Sequence, residues 1–149
     1  MNKYKLLLFI SLGGYYTSMA FTQLLYWKYG YPNPVWRELN PILHQAFLDG
    51  RPWLHYLLST AVTILLVALY IGSKSGNLLA RTLAHTGLYA LSSGFTVNAI
   101  NDVLAYLLLV SLPFHLAVSA VIAGGLIGGA TLIKTWRGRG WSRAPCPCS

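Results

Sequence analysis

The sequence has 149 residues, which is enough for one compact domain. Hydrophobic residues make up 55% of the chain and charged residues 9%, whereas soluble domains carry about 25% charged residues. The net charge is +8, but the basic residues stand between apolar runs, as they do at the ends of membrane spans. The composition therefore excludes an ordinary soluble domain, gives no sign of a nucleic-acid partner, and predicts a multi-pass protein of the cell membrane.

Four apolar segments are long enough to cross a bilayer, which takes roughly 20 helical residues. The predicted fold is therefore an all-α bundle of about four transmembrane helices in one domain, residues 1–133, followed by a basic tail at residues 134–149. The predicted helices span residues 4–27, 52–72, 81–110 and 114–133. Ser18-Met19-Ala20 resembles a signal-peptide cleavage site, but the apolar run continues to Trp27, so we expect a retained helix.

The turn between the third and fourth helices has two candidate positions. Residues 78–133 are almost all apolar, which is too long for one span and suits two. The chain could reverse at residues 98–102, which are rich in asparagine, or at residues 111–114, where Pro113 stands. Pro113 favours the second position, but both remain open from the sequence.

The distribution of basic residues predicts the orientation in the membrane. With four spans, one side carries eight basic residues and no acidic ones: Lys3, Lys5, Lys74, Arg81, Lys134, Arg137, Arg139 and Arg143. The other side carries Lys28, Arg37 and Arg51 together with acidic residues. Both termini are therefore predicted to be cytoplasmic, with the basic tail drawn to anionic lipid headgroups.

Small residues in the fourth segment predict close contact between helices. Gly124, Gly125, Gly128 and Gly129 form two overlapping Gly-x-x-x-Gly frames, which let another helix backbone approach closely. The contact would be either with another helix of the same chain or with a partner, as a homo-oligomer or as a subunit of a complex. The sequence does not choose between the two.

Asp102 is the most informative single residue. It lies in or beside the membrane, with Asn98 one turn before it on the same helical face and Asn101 next to it. Ionisable groups at membrane depth are expensive and usually face the protein interior or water. The residue would therefore belong to a polar pocket or ion path, unless it lies hydrated at the outer interface.

Further polar residues are predicted to gather on the same outer face. The complete candidate cluster is Glu38, Asn40, His44, His55, Asn98, Asn101, Asp102 and His115. Its nitrogen and oxygen ligands suit a metal, but no fixed ligand spacing such as His-Glu-x-x-His is present. No metal or cofactor is therefore assigned. Cys146 and Cys148 form a Cys-Pro-Cys sequence in the tail and lack the second ligand pair of a zinc site.

The sequence Glu38-Leu39-Asn40-Pro41 carries a resemblance to a family. At these residues the chain resembles an uncharacterised family of small prokaryotic polytopic membrane proteins with a Glu-x-Asn-Pro turn after the first helix. In that family a later helix ends in asparagine, for which Asn98 or Asn101 is the counterpart here. The resemblance covers roughly residues 10–102, implies a helical membrane topology and brings no assigned activity.

Three functions follow from these features, in order of preference. The first is a non-catalytic subunit or accessory component of a membrane complex, because no catalytic motif is present. The second is a small oligomeric channel, transporter or holin-like protein, with the polar residues around Asp102 lining a path. The third is an outward-facing metal-dependent enzyme that uses Glu38, His44, His55 and Asp102.

Overall fold

The computed structural model describes residues 2–29, 51, 53–108, 110 and 112–140. In these ranges the chain forms four α-helices and no strand. They are α1 (Lys3–Tyr29), α2 (Trp53–Gly72), α3 (Leu78–Leu108) and α4 (Phe114–Gly140). At a rise of about 1.5 Å per residue, each helix is at least as long as the hydrocarbon core of a bilayer is thick.

The start of α3 is set by a cap at Asn77. Its side-chain Oδ1 accepts a hydrogen bond from the Ala80 amide at 3.2 Å, and its carbonyl accepts one from the Arg81 amide at 3.0 Å. An asparagine in this position satisfies amides that have no partner within the helix. The cap explains why α3 begins at Leu78 and not at Arg81, where the sequence pattern placed the start.

The end of α3 shows where the chain reverses. The helix runs without interruption through residues 98–102 and ends at Leu108, and α4 begins directly after Pro113. The chain therefore reverses after Leu108 and before Phe114, so Asn98, Asn101 and Asp102 are part of a helix. Their side chains are bonded to one another and to α1, which removes the competition with the helix backbone that such residues exert elsewhere.

The end of α4 differs from the predicted boundary. The helix was predicted to end at residue 133, where the apolar run stops, but it continues to Gly140. Lys134 and Thr135 are both compatible with helix, and the Thr135 hydroxyl donates to the Leu132 carbonyl at 2.7 Å within the same helix. The first part of the predicted basic tail is therefore an extension of α4.

The helices pack in an antiparallel order around α3. Among the described residues, α3 contacts all three other helices, α1 and α2 also contact each other, and α4 contacts α3 alone. Side-chain contacts fix the directions: Thr131 of α4 meets His85 near the start of α3, and Ser18 of α1 meets Asp102 near its end. Neighbours in sequence thus run in opposite directions, and α1 runs parallel to α3.

The interior of this bundle is more polar than its surface. The buried hydrophobic residues are Tyr15, Leu25, Leu66, Ala84, Leu88, Ala99 and Ala105. Among the residues that the structure describes, more of the buried ones are polar or charged than hydrophobic: Ser11, Ser18, Thr22, His55, Ser59, Ser73, His85, Ser92, Asn101 and Asp102. Large apolar side chains such as Ile64, Ile71 and Leu126 are at least 64% exposed. A soluble protein buries its large apolar side chains, so this distribution is the reverse of a soluble core.

Two of the described helices are long and apolar enough to cross a membrane. They are α2 and the segment His115–Thr135 of α4, and only 17% and 11% of their most apolar windows are buried within the chain. A core helix of a soluble protein would be mostly buried. The apolar character of α2 and α4 therefore belongs to the outside of the bundle, whereas α1 and α3 turn polar faces towards each other.

A candidate polar site between the first and third helices

One face of α1 consists of buried side chains that recur every three or four residues. Ser11, Tyr15, Ser18, Thr22 and Leu25 follow one another at intervals of three or four residues, and each is at most 9% exposed. Residues at this spacing lie on the same side of a helix. Four of the five carry a hydroxyl group, so α1 presents a row of hydroxyls to its neighbours.

The carboxylate of Asp102 lies opposite this row and is 7% exposed. The Ser18 hydroxyl donates a short hydrogen bond to Asp102 Oδ2, and Thr22 Oγ1 lies 3.5 Å from the same oxygen. From α3 itself, Asn98 Nδ2 lies 3.5 Å from Oδ2, and Asn101 Nδ2 donates to Oδ1 at 3.0 Å. We call these five residues, from two helices, the Asp102 cluster. A carboxylate accepts several hydrogen bonds at once, which offsets the high cost of burying it.

The two asparagines connect the cluster to its surroundings. Asn98 Nδ2 also donates to the Ser18 hydroxyl oxygen at 2.6 Å, and Asn98 is the member of the cluster with a partly exposed side chain. Asn101 is 1% exposed, and its Oδ1 accepts a hydrogen bond from the Leu112 amide at 2.6 Å. Asn101 therefore ties the turn between α3 and α4 to the Asp102 carboxylate.

Small residues let α1 and α3 approach closely enough for these bonds. A Cβ atom added to Gly14 would lie 3.0 Å from both the carbonyl carbon and the carbonyl oxygen of Phe95. Gly14 lies one turn before Ser18, and small residues four apart allow two helix backbones to come together. The close approach at Gly14 brings the short Ser18 side chain within reach of Asp102.

The α1–α2 contact uses a second set of hydroxyls. The Tyr15 hydroxyl donates to Ser59 Oγ at 3.1 Å, and Ser59 Oγ donates to the His55 carbonyl at 2.6 Å. Tyr16 and Thr63 share a hydrogen bond of 2.8 Å. His55, 3% exposed, lies in the first turn of α2, at the same end of the bundle as Asp102.

At the opposite end, His85 joins three helices. It is fully buried, with Nδ1 3.2 Å from the Tyr4 hydroxyl and Nε2 2.9 Å from Thr131 Oγ1. The Thr131 hydroxyl also lies within hydrogen-bond distance of the Gly128 carbonyl of its own helix, at 2.9 Å. Tyr4 and Thr131 can each donate or accept, so they provide partners for both ring nitrogens of His85.

The four glycines at positions 124, 125, 128 and 129 of α4 divide into two pairs. A Cβ atom on Gly124 would meet Ser93 Oγ at 2.5 Å and the Tyr89 carbonyl oxygen at 2.6 Å, and one on Gly128 would meet the Thr86 Cα at 3.1 Å. A Cβ on Gly125 would make an ordinary contact of 3.8 Å with Ala90, and one on Gly129 would meet nothing within 4 Å. Gly124 and Gly128 therefore bring the backbones of α3 and α4 together, whereas Gly125 and Gly129 have room for a Cβ atom.

The remaining residues of the predicted polar cluster are placed as follows. Glu38, Asn40 and His44 lie outside the described residues. His115 is exposed in the first turn of α4, whereas the bonds described for Asp102 come from Ser18, Thr22, Asn98 and Asn101. Within the described part of the chain, no group of three or more His, Cys, Asp or Glu residues is placed to hold a metal ion.

Sequence reasoning did not find the α1 side of the site. It treated residues 4–27 as an apolar span, although Ser11, Ser18 and Thr22 recur there at the spacing of one helical face. It also left out His85, whose partners Tyr4 and Thr131 come from distant parts of the sequence. No family model, curated protein or solved structure matches the chain.

Proposed function

We propose that this chain spans the cell membrane four times, with both termini in the cytoplasm, and acts as a non-catalytic component of a larger membrane complex. The observation that carries the proposal is the reversed distribution of polar and apolar residues. Polar side chains are satisfied between α1 and α3, while α2 and α4 present apolar side chains outward. Lipid is the solvent that favours this arrangement.

The positions of basic and aromatic residues support the orientation. The end of the bundle that contains His85 carries Lys3, Lys5, Lys74, Arg81, Lys134, Arg137 and Arg139. The end that contains Asp102 carries Lys28 and Arg51. Trp27 and Trp53 at this second end are 86% and 58% exposed, as expected of aromatic anchors at an interface. The first end therefore faces the cytoplasm, where the basic residues of α4 attract anionic lipid.

The outer face of α4 supports a role as a subunit. This helix contacts α3 alone, and on the side opposite that contact Ser119, Ala123 and Ala130 are exposed at helical spacing. Small residues on an open helical face permit close packing of a helix from another chain. We therefore place the contact with a partner on this face of α4.

The proposal is tested by gentle extraction of the tagged protein and measurement of its intact mass. We expect other chains in a fixed ratio, and a bare monomer would contradict the subunit role. Ala123→Leu should reduce recovery of the partner, because it fills the exposed face of α4. The matched control is Ala61→Leu, which adds the same group to an exposed position on α2 and should leave recovery unchanged.

The membrane topology has its own test. Reporter fusions that are active on one side of the membrane would be placed in the turn at residues 73–77 and after residue 140. We expect both positions to report the cytoplasm, because an even number of spans separates them. If they lie on opposite sides, the four-span topology is wrong, whatever the outcome for the partner.

A second candidate function is a small channel or transporter, and one observation favours it. Asp102 is an ionisable group buried at depth between two helices, and such groups mark ion or proton paths in many membrane proteins. Flux of small cations through liposomes, reduced by Asp102→Asn, would support this function. Unchanged flux would leave the subunit role as the better account.

A further inference from the structure

We infer that the cleft between α1 and α4 binds one anionic phospholipid, whose phosphate group lies between Lys3 and Lys134 at the cytoplasmic end of the bundle. One acyl chain of this lipid lies along α3, between the two helices. The site rests on the proposed membrane topology. It goes beyond the general attraction of basic residues to lipid, because it assigns the lipid to one place and to two lysines on different helices.

The space for the lipid exists because α1 and α4 both pack on α3 without contacting each other in the described part of the chain. His85 links the two helices near the cytoplasmic end, through its hydrogen bonds to Tyr4 of α1 and Thr131 of α4. Thr96 lies three turns after His85 on the same face of α3 and is exposed, whereas His85 is fully buried. The gap between α1 and α4 is therefore closed at His85 and open at Thr96.

Each wall of the cleft is basic at its cytoplasmic end and apolar deeper in the bundle. On α1, Lys3 and Ile10 are seven residues apart on one face, and Ile10 is 41% exposed. On α4, Ile127 and Lys134 have the same spacing, and Ile127 is 55% exposed. Thr131 lies between them and bonds His85, which places this face of α4 on the side of α1. Two such walls match a molecule with an anionic head and an apolar chain, and basic pockets between membrane helices bind lipid headgroups elsewhere.

The two lysines of α1 lie on different sides of the helix. Lys3 interacts electrostatically with His85, the residue that links α1 to α4. Lys5 lies three turns before Tyr16 on the same face, and Tyr16 is hydrogen-bonded to Thr63 of α2. Lys3 therefore stands at the cleft, whereas Lys5 stands on the side of α2.

The charge at this end of the bundle favours an anionic ligand. Lys3 and Lys134 are both exposed, and lysine binds phosphate groups through its compact positive charge. The acidic residues of the chain are Glu38, Asp49 and Asp102. Asp102 is at the opposite end of the bundle, and the other two lie outside the described residues. No carboxylate in the described part of the chain therefore competes with a phosphate for these lysines.

The depth of the cleft suits an acyl chain. Along α3, Thr96 lies about 16 Å from His85, which is roughly half the thickness of the hydrocarbon core of a bilayer. A lipid of the cytoplasmic leaflet can reach this depth with its chain while its phosphate stays at the surface. A free phosphate ion would use the lysines alone, whereas a lipid also covers the exposed isoleucines of both walls.

The test uses the full-length chain in mild detergent, with phosphatidylglycerol, phosphatidylcholine or inorganic phosphate added at equal concentration. Phosphatidylglycerol should raise the melting temperature by roughly 3 °C more than the other two, because a ligand that binds the folded state stabilises it. Native mass spectrometry should show one phosphatidylglycerol retained per chain. Lys3→Gln and Lys134→Gln should each weaken the affinity for phosphatidylglycerol roughly fivefold.

The matched control is Lys5→Gln, which removes the same charge from the same helix on the side of α2. This variant should bind phosphatidylglycerol as the unaltered protein does. Equal responses to phosphatidylglycerol and phosphatidylcholine, an equal response to inorganic phosphate, or equal losses in Lys5→Gln and Lys3→Gln would each overturn the inference. If Lys3→Gln does not fold, the comparison of Lys134→Gln with Lys5→Gln decides in the same way.

The lipid site, the subunit role and the topology fail separately. Lipid binding is measured on the isolated chain, so its outcome does not depend on whether a partner is recovered. Recovery of a partner in fixed ratio is expected whether or not phosphatidylglycerol binds. Reporter fusions on opposite sides of the membrane would contradict the topology, whereas a missing lipid preference with both reporters in the cytoplasm removes the lipid site alone.

Discussion

The two main interfaces of α3 are built by different means. Against α1, the contact includes a set of hydrogen-bonded side chains, with Asp102, Ser18 and Thr22 near one end of the interface. Against α4, the contact is formed by close backbone packing, because Gly124 and Gly128 have no side chain and let the α4 backbone lie close to that of α3. One helix thus uses chemical complementarity on one side and close packing on the other.

On the proposed membrane topology, the difference indicates which interactions hold the helices together. Lipid tails are as apolar as leucine, so helices gain little by burying apolar side chains against one another. Hydrogen bonds and close van der Waals contact remain, and α3 uses one of them predominantly on each side. Loss of a hydrogen-bonding group should therefore lower the stability of the α1–α3 interface most, whereas an increase in side-chain volume should lower that of the α3–α4 interface most.

The largest effect is expected from Gly124→Ala. The new Cβ atom would lie within 3 Å of Ser93 Oγ, Ser93 Cβ and the Tyr89 carbonyl oxygen, so the two helices must separate. Overpacking of this kind costs about 2–3 kcal/mol, measured as the free energy of unfolding in detergent. Gly125→Ala is the control, because its Cβ would be 3.8 Å from Ala90. Equal destabilisation by the two changes would show that α4 does not pack on α3 through Gly124.

Asp102→Ala is expected to have the next largest effect. It removes the shared acceptor of the cluster and leaves Asn101 and Thr22 without one of their partners, while the volume change is small. Hydrogen bonds between membrane helices stabilise the fold by less than expected from the cost of burying unpaired polar groups. We therefore expect a loss of about 1–2 kcal/mol in the free energy of unfolding. Asp102→Asn keeps the shape and one acceptor and should lose less than half as much. A larger loss for Asp102→Asn than for Asp102→Ala would contradict the assigned bonding.

Gly14→Ala tests whether added side-chain volume also destabilises the α1–α3 interface, which includes a set of hydrogen-bonded side chains. The new Cβ atom would be 3.0 Å from the Phe95 carbonyl group, which belongs to a helix backbone and cannot move alone. We expect a loss of about 1 kcal/mol in the free energy of unfolding, smaller than for Gly124→Ala. At Gly13 the same change meets nothing within 4 Å and should stabilise the helix by about 0.5–1 kcal/mol. Destabilisation by Gly14→Ala together with stabilisation by Gly13→Ala would confirm that α1 packs on α3 through Gly14, and the same sign for both changes would contradict it.

Much of the fold could be predicted from the sequence because helix ends have local causes. The turn after Gly72 and the break before Pro113 follow from residue types that end or begin helices wherever they occur. The start of α3 at Leu78 depends on the side chain of Asn77, and α4 can extend beyond residue 133 because residues 134–140 contain no proline. Hydropathy alone contains neither of these signals.

The candidate site was predictable only on one of its two helices. Asp102 stands out because a charge in an apolar segment demands an explanation. Its partners Ser18 and Thr22 are short hydroxyl residues that occur in many membrane helices, and their pairing with Asp102 depends on how α1 is rotated and aligned along α3. That alignment is fixed by Gly14 and by long-range contacts, which no local pattern reveals.

The smallest effect is expected from Thr131→Val. This change removes a hydrogen bond from the α3–α4 interface, which is formed mainly by close backbone packing at glycines. Valine keeps the shape of threonine but removes the hydroxyl that shares a hydrogen bond of 2.9 Å with His85 Nε2. A single hydrogen bond between membrane helices is worth about 0.6 kcal/mol, so the free energy of unfolding should fall by about that amount. The control is Thr135→Val, one turn later, where the exposed hydroxyl bonds only to the Leu132 carbonyl of its own helix and no loss is expected. If Thr131→Val instead destabilised the protein as strongly as Gly124→Ala, the α3–α4 interface would depend on hydrogen bonding after all, and the contrast between the two sides of α3 would not hold.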